Sequence, residues 1–512
     1  MSYWINKKAL SQFFIIAAIL LANLASVNLA SFAQSEQPET PDAADTFNVY
    51  IPQLAQDFPW ESPLGIESTS PLLVSNTLLL RASDLQPGMA RMGNQISWRS
   101  LQPNEGGPIA WELLATFEEE LRGMKENGIR PLVIFKDSPY WALDPQRALD
   151  ANDELTSCGP IAADKFDDFA AFIQQVVNRY KTDEFNVHDW ELGNEPDVDP
   201  TKVPKDHLFG CWGDIDDEDY YGGAYYGEML KAVTPAIRQA DTRARVWIGG
   251  LLLDRPEAQN PSLNGYPERF FRGILASDAA PYFDVVPYHW YAAYFDYLVP
   301  GTAYDWDIAV SNGWSSWGGG TVGKARYLRQ IMAEYGVNKP LVLNESGFGC
   351  IPSTTYPYCD DPDDRFWESQ ATHLVRFFVR SQSEGIDSFV WYTLNGPGWR
   401  NTGLLDRSQQ PRKVYNTYQY LSQKLRYARY QNTINYGPGI EAYEFHINSH
   451  RVHVLWAVED HILDVIVPSG AFFEVTDRYG NVLYNQSNPP PQSGSDYLIQ
   501  VGFEPVLITY NP

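Results

Sequence analysis

Residues His188–Pro196 read HDWELGNEP: a short strand, His188–Gly193, runs straight into Asn194-Glu195-Pro196. A second run is built alike. Leu341–Gly347 reads LVLNESG, with the apolar strand Pro340–Asn344 ending on Glu345. A Glu at the C-terminal end of a strand costs stability if it points into a closed site, so such a placement is tolerated for function more than for folding. Working outward, short apolar strands alternate with amphipathic helical runs. The other expected strands are Leu64–Glu67, Met89–Trp98, Arg130–Phe135, Val246–Leu251, Phe283–His289 and Ser388–Tyr392. The helical runs are Ala115–Asn127, Lys165–Tyr180, Tyr226–Gln239, Lys324–Tyr335, Glu368–Glu384 and Tyr415–Leu425. This alternation implies a parallel sheet covered by helices. Eight such units favour a closed (β/α)8 TIM barrel over an open sheet, and the two Glu then follow strands four and seven.

The barrel is expected over residues 59–428. After about Arg429 helical periodicity stops. Short alternating strands take over at Glu441–His446, Val452–Ala457, Ile462–Val467, Phe472–Asp477, Tyr497–Val501 and Pro505–Thr509, with turn signals such as Tyr479-Gly480-Asn481 between them. Residues 429–512 therefore read as a small antiparallel, β-sandwich-like domain.

The other end is an address. Lys7 and Lys8 precede the apolar run Phe13–Leu24, and small residues lead to Ala33, the order of a secretory signal over residues 1–33. An uncleaved anchor over Ala9–Ala30 is the rival, diluted by Ser11, Gln12, Asn23 and Asn28. The polar, Pro-containing stretch Gln34–Thr46 opens a linker that extends to residue 58. The expected location is secreted or periplasmic. Export permits disulfides. Of the three pairings open to four cysteines, Cys350–Cys359 around a Pro-containing loop and Cys158–Cys211 between two other loops are expected.

Composition narrows the partners. The formal charge of −26 argues against nucleic acid and anionic membrane surfaces, which need a cationic face, and points to a neutral glycan over a polyanionic one. Aromatic residues make up 14% of the chain, which suits stacking on sugar faces. No cofactor is expected. Gly318–Gly323 matches a G-x-G-x-x-G pattern, but no buried strand precedes it, so nucleotide binding is set aside. The acidic runs Asp214–Asp219 and Asp360–Asp364 lack EF-hand spacing. His450 and His453 lack the Glu of a zinc-protease motif.

Two Glu facing each other across a cleft are what glycoside cleavage requires. One donates a proton to the leaving oxygen and needs a raised pKa; the other stays ionised and attacks the sugar carbon. The ordered motifs resemble clan A retaining glycoside hydrolases, family 39-like or family 5-like. They are Asn194-Glu195-Pro196, Glu345, Ile96-Ser97-Trp98 with Gln102-Pro103, Ser138-Pro139-Tyr140-Trp141-Ala142, His289-Trp290-Tyr291, Trp391 and Gly403-Leu404-Leu405-Asp406.

The resemblance implies Glu195 as acid/base and Glu345 as nucleophile. Asn194 would hydrogen-bond a sugar 2-hydroxyl, Tyr291 would orient Glu345, and His289 would line the pocket. Trp391 and Trp141 would stack on sugar rings, with Trp98 of the strand-two element among the substrate-binding residues. Arg91 fits the clan's strand-two arginine only with a one-residue shift, so no active-site role is assigned to it. Glu191 reads as structural. The expected activity is a double-displacement hydrolysis of β-glycosidic bonds. A carbohydrate-binding barrel without turnover and a transglycosylase are the alternatives. The identity of the sugar, the linkage and the oligomeric state have no signal in the sequence.

Overall fold

The computed structural model describes residues 62–256, 266–294, 305–309, 313–352 and 359–511. The expected signal and linker, residues 1–58, lie outside the described residues. Eight parallel strands form the barrel: β1 (Leu64–Ser68), β2 (Met89–Met92), β3 (Arg130–Lys136), β4 (Asp189–Asn194), β5 (Arg245–Gly250), β6 (Val286–Tyr294), β7 (Leu341–Cys350) and β8 (Ser388–Trp391). They pair in the order β5-β4-β3-β2-β1-β8-β7-β6. Parallel bridges Trp247↔Val285 and Leu251↔Tyr288 join β5 to β6 and close the ring. Helices cover the outside: α1 (Leu78–Leu85), α2 (Ala115–Glu126), α3 (Phe166–Tyr180), α4 (Gly223–Ala240), α5 (Phe270–Ala276), α6 (Gly320–Glu334), α7 (Asp364–Ser383) and α8 (Lys413–Leu425). No helix among the described residues is long and apolar enough to cross a membrane.

The strands are apolar because both of their faces are covered. Met89, Leu132, Trp247, Val285, Val342 and Val390 pack together as one buried layer. Gly65 of β1 makes room for it, since a Cβ there would lie 2.9 Å from both the Met89 and the Val390 side chains. At the strand N-termini, buried Asp189 accepts from Trp247 Nε1 (2.9 Å) and Arg245 Nη2 (2.5 Å) and faces Arg130. That end of a barrel serves stability.

The C-terminal β domain has two antiparallel sheets. One runs β9-β10-β11-β17-β13-β14, from β9 (Arg429–Thr433), β10 (Ile440–Ile447), β11 (His450–Ala457), β13 (Phe472–Asp477), β14 (Val482–Asn485) and β17 (Val506–Tyr510). The other joins β12 (Leu463–Val467), β16 (Asp496–Val501) and β15 (Gln492–Ser493). Ala442, Leu455, Val465, Val467, Phe472, Ile499 and Ile508 fill the space between them. Helix α7 anchors this domain. Arg380 pairs with Glu441 (2.7 Å) and Asp305 (2.6 Å), and Arg376 donates to the Ala457 and Phe503 carbonyls. Disulfides join Cys158 to Cys211 and Cys350 to Cys359, the expected pairing.

Candidate active site

The C-terminal ends of the strands converge on one guanidinium. Arg91, from β2, is 1% exposed. It shares the parity of Met89, so both point inward. Its Nε and Nη2 grip Glu191 (2.9 and 3.0 Å). Nη1 donates to Glu67 (2.9 Å) and to Glu345 (2.5 Å), and Nη2 also reaches Asn194 Oδ1 (2.6 Å). One cation thus holds carboxylates from β1, β4 and β7, and the one-residue shift that left Arg91 without a role is overturned. Glu191 is structural in the sense expected: it also accepts from Gly250 N and Asn344 Nδ2, both at 3.0 Å.

Local irregularities aim the two central carboxylates. In β7 the register with β6 slips by one residue at Asn344. Such a bulge re-aims side chains, so Asn344 reaches Glu191 while the next residue, Glu345, reaches Arg91 and Tyr291. The Tyr291 hydroxyl donates to Glu345 Oε1 at 2.5 Å. At the end of β4 the chain takes positive φ at Gly193 (φ 101°), within the strand, and at Glu195 (φ 49°), just after it. The first suits glycine; the second is a strained position for a side-chain-bearing residue, of the kind that collects at functional sites.

Glu195 and Glu345 have different surroundings. Burial pushes Glu195 up to about 7, against the opposing pull of Arg91 and Lys324. Its Oε1 lies 2.8 Å from His289 Nδ1. Burial holds His289 down to about 4, so the ring is neutral near pH 7 and, according to tautomer, accepts a hydrogen bond from the protonated Glu195 carboxyl or donates one to its carboxylate. Glu345 instead receives the guanidinium and the phenol, a donor set suited to an ionised carboxylate. One oxygen of Glu195, one of Glu345 and a nitrogen of His289 lie within 4.8 Å of one another. Among the described residues this is the one group of His, Cys, Asp and Glu spaced closely enough to hold a metal ion. The Arg91 cation already on Glu345 opposes a second positive charge there.

A further layer supports the site. Asp197, two residues after Glu195, accepts from the Leu252 and Leu253 amides at 2.8 Å, and burial pushes it up to about 7. Lys324 Nζ donates to the carbonyl of His289 (2.8 Å), and burial pulls it down to about 8. Glu67 is pushed up to about 8, chiefly by burial. Gly250 has no room for a side chain, because a Cβ would sit 2.1 Å from His289 Nε2.

Glu195, Glu345, Asn194, His289 and Tyr291 therefore meet in one place. The tryptophans do not all join them. Trp391 is 0% exposed and its indole N–H donates to the Thr402 carbonyl (2.9 Å). Val390 faces the barrel interior, so its neighbour Trp391 must face outward, and Trp391 as a sugar platform is corrected. Trp98 is also 0% exposed, packed between Phe169 and Phe172 of α3 with its N–H on Gln102 (2.9 Å), so it is a core residue and not a sugar contact. Trp141 is half-buried and edges onto Trp98 at 5.1 Å. The aromatic rings beside Tyr291 are Tyr392 (5.8 Å between centroids) and Trp399 (5.1 Å), and Trp399 is 45% exposed. Alternation from Val390, which was not applied, selects Tyr392; Trp399 lies in a loop where no period applies.

The discounted motifs have structural roles. Gly320 packs against the Trp290 ring, and Asp307 accepts from Thr321 N at the start of α6. In the acidic run after β4, Asp217 accepts from the Tyr220 and Gly222 amides.

No protein-family model matches this sequence, and no curated protein matches it. Solved structures do. A family 39 glycoside hydrolase from the gut symbiont Bacteroides cellulosilyticus superposes with a TM-score of 0.61 at 16% identity, over 88% of this chain and 81% of that one. A family 30 endoxylanase from Clostridium papyrosolvens gives 0.58 at 12% identity, over 88% and 96%. A family 39 beta-xylosidase from Caulobacter crescentus gives 0.51 at 15% identity, over 88% and 96%. The fold, a (β/α)8 barrel followed by a β domain, is the one these glycoside hydrolases carry.

Proposed function

We propose that the protein is an exported retaining glycoside hydrolase that cleaves β-glycosidic bonds. The observation that carries this reading is the spacing and contrast of Glu195 and Glu345. Their nearest oxygens lie within 4.8 Å. That fits the roughly 5–5.5 Å between carboxyl groups of a double displacement, and not the roughly 6.5–9.5 Å that leaves room for a water in an inverting site. The protonated Glu195 gives its proton to the glycosidic oxygen as Glu345 attacks the anomeric carbon from the other side. A glycosyl–Glu345 ester forms and the aglycon leaves. Glu195, now ionised, takes a proton from water, which attacks the same carbon and frees Glu345. Neutral His289 can follow both states, accepting from the acid and donating to the carboxylate.

The remaining contacts support the same chemistry. Asn194 Oδ1 is engaged by Arg91, which leaves its amide N–H2 without a protein acceptor among the described residues and turned to the role of gripping a sugar hydroxyl. Two of the neighbours are named for xylose or xylan, so β-xylosides are the first substrates to try. The disulfides and the N-terminal apolar run support export.

The test is sugar release from a panel of β-glycosides and β-linked polysaccharides by wild type, Glu345→Gln and Glu195→Gln. Wild-type release, abolished by Glu345→Gln, is the expected result. Glu195→Gln should lose far more on poor leaving groups than on activated ones. Binding without release by wild type would instead favour the carbohydrate-binding alternative, and products longer than the substrate would favour the transglycosylase.

A further inference from the structure

The glycine-rich run Gly318–Gly323 leads into Lys324, a cation that is 3% exposed in the second turn of α6. Burying an ammonium is costly unless its donors are satisfied. The glycines bring it to its partners. Gly320 lets α6 start directly against Trp290, since a Cβ there would lie 2.0 Å from the ring. Lys324 is four residues on and shares that face of the helix. Its ammonium lies 5.1 and 5.8 Å from the centroids of the Trp290 and Trp314 rings and donates to two carbonyls, those of Leu252 (2.5 Å) and His289 (2.8 Å).

Leu252 belongs to the stretch of backbone that joins Glu195 to His289. At the end of β5 the Gly250 carbonyl accepts from Glu195 N and the Leu251 carbonyl from His289 N, both at 2.9 Å. The next two amides, Leu252 and Leu253, donate to the two oxygens of Asp197 at 2.8 Å. Leu253 is buried and left-handed (φ 45°), a conformation that its surroundings must hold. Asp197 thus grips residues 250–253 from the end of β4 and Lys324 grips them from α6, while Glu195 and His289 hang on the same four residues. The charge acts in the same place. Lys324, with Arg91, favours the ionised form of Glu195.

We propose that Lys324 is a positioning residue for the acid/base: it locks residues 250–253 and the His289 backbone so that Glu195 meets the glycosidic oxygen, and its charge steadies the Glu195 carboxylate left after the proton has gone. The proposal rests on the glycosidase reading above. It gives the site a division of labour. Arg91 holds the nucleophile, with an ion pair to Glu345, and Lys324 serves proton transfer alone. Losing Lys324 therefore impairs the steps in which Glu195 gives or takes a proton and spares the attack by Glu345. The groups facing Lys324 are Glu195 and Asp197 from β4 and Asp254 from the end of β5, with His289 neutral near pH 7 on β6. Asp307, beside the first turn of α6, is engaged by Thr321. Burial pulls Lys324 down to about 8, so it stays largely charged where Glu195, at about 7, titrates.

The experiment compares full-length wild type, Lys324→Met and Lys324→Gln. The probes are the phenyl and 2,4-dinitrophenyl β-glycosides of the sugar that wild type releases fastest from the panel above. In Lys324→Met, kcat/KM should fall about ten- to a hundredfold on the phenyl glycoside, whose leaving group needs the proton, and less than about threefold on the dinitrophenyl glycoside. On the latter, kcat should also fall, because water needs Glu195 as base to open the glycosyl–Glu345 ester. Azide needs no base: it attacks the anomeric carbon, frees the Glu345 carboxylate, and should restore kcat with glycosyl azide as product. With one attracting cation gone, Glu195 holds its proton more tightly, so the alkaline limb of kcat/KM should move up by about half a unit or more. Lys324→Gln keeps an amide donor without the charge. It should lose less rate, show the same shift of the limb, and decide the matter if Lys324→Met does not fold. Equal losses on both glycosides with the limb unmoved, or rates within about threefold of wild type on both, overturn the proposal and leave the glycosidase reading intact. Wild type that releases sugar from no member of the panel overturns the glycosidase reading and this proposal with it.

Discussion

Arg91→Lys isolates the part of the site that the fold makes most expensive to change. The guanidinium makes five contacts: two to Glu191 and one each to Glu67, Glu345 and Asn194, all between 2.5 and 3.0 Å. A lysine ammonium has three donors at a single point and cannot span three strands. At least two contacts to buried, charged or polar partners are lost. At about 1.5–3 kcal/mol each for bonds to charged groups, the substitution costs about 3–6 kcal/mol. Against a total stability of about 5–15 kcal/mol, that is a large share but not necessarily all of it. Urea unfolding followed by tryptophan fluorescence measures the loss, and kcat/KM on the same preparation measures the displaced Glu345. An expected fall of more than about a hundredfold follows from a misplacement near 1 Å. A loss under about 1 kcal/mol with a rate within about threefold of wild type would refute the idea that Arg91 organises the site.

Other consequences follow from the same geometry. Gly250→Ala places a methyl 2.1 Å from His289 Nε2 and 2.8 Å from Asn344 Oδ1, so it should destabilise by about 1–3 kcal/mol and depress kcat far more than KM; thermal melts and steady-state kinetics check both. Because Glu195 must be protonated to act as acid, kcat/KM should fall tenfold per unit above about pH 7. Glu67, Glu195 and Asp197, raised to about 8, 7 and 7, hold their protons more tightly folded than unfolded. Their stabilisation is therefore present in acid and lost as pH rises through those values; buried His289 and His373, lowered to about 4 and 3, act the opposite way but only below about 6.5. The melting temperature should accordingly fall between pH 6.5 and 8, and a rise over that window would contradict the burial argument. Prolonged dialysis against a chelator should leave activity unchanged, since Arg91 already neutralises Glu345; loss restored by a divalent ion would make the Glu195–His289–Glu345 group a metal site.

The barrel was legible because a strand covered on both faces must be apolar throughout. The runs at Arg130–Lys136 and Arg245–Gly250 satisfy that, and their lengths leave little choice of element. In the β domain, β9 and β14 were not legible: their sequences, RYQNT and VLYN, face solvent and lack an alternating apolar side. Glu195 and Glu345 stood out as carboxylates ending apolar strands. What the sequence concealed is register. The slip at Asn344 lets two adjacent residues of β7 reach the same site, and no pattern of period two announces it. Arg91 was passed over for an offset of one residue, although its parity with Met89 placed it inside. The same alternation, applied from Val390, would have exchanged Trp391 for Tyr392.

The central claim is that Glu345 becomes covalently bonded to the sugar. The most direct test is mass spectrometry of the full-length protein after incubation with activated 2-deoxy-2-fluoro-β-glycosides, which slow release of the ester, followed by peptide mapping. The account predicts one sugar per chain, carried on Glu345, with labelling lost in Glu345→Gln. Turnover of the matching natural glycoside with no label, or a label on a different carboxylate, would contradict it.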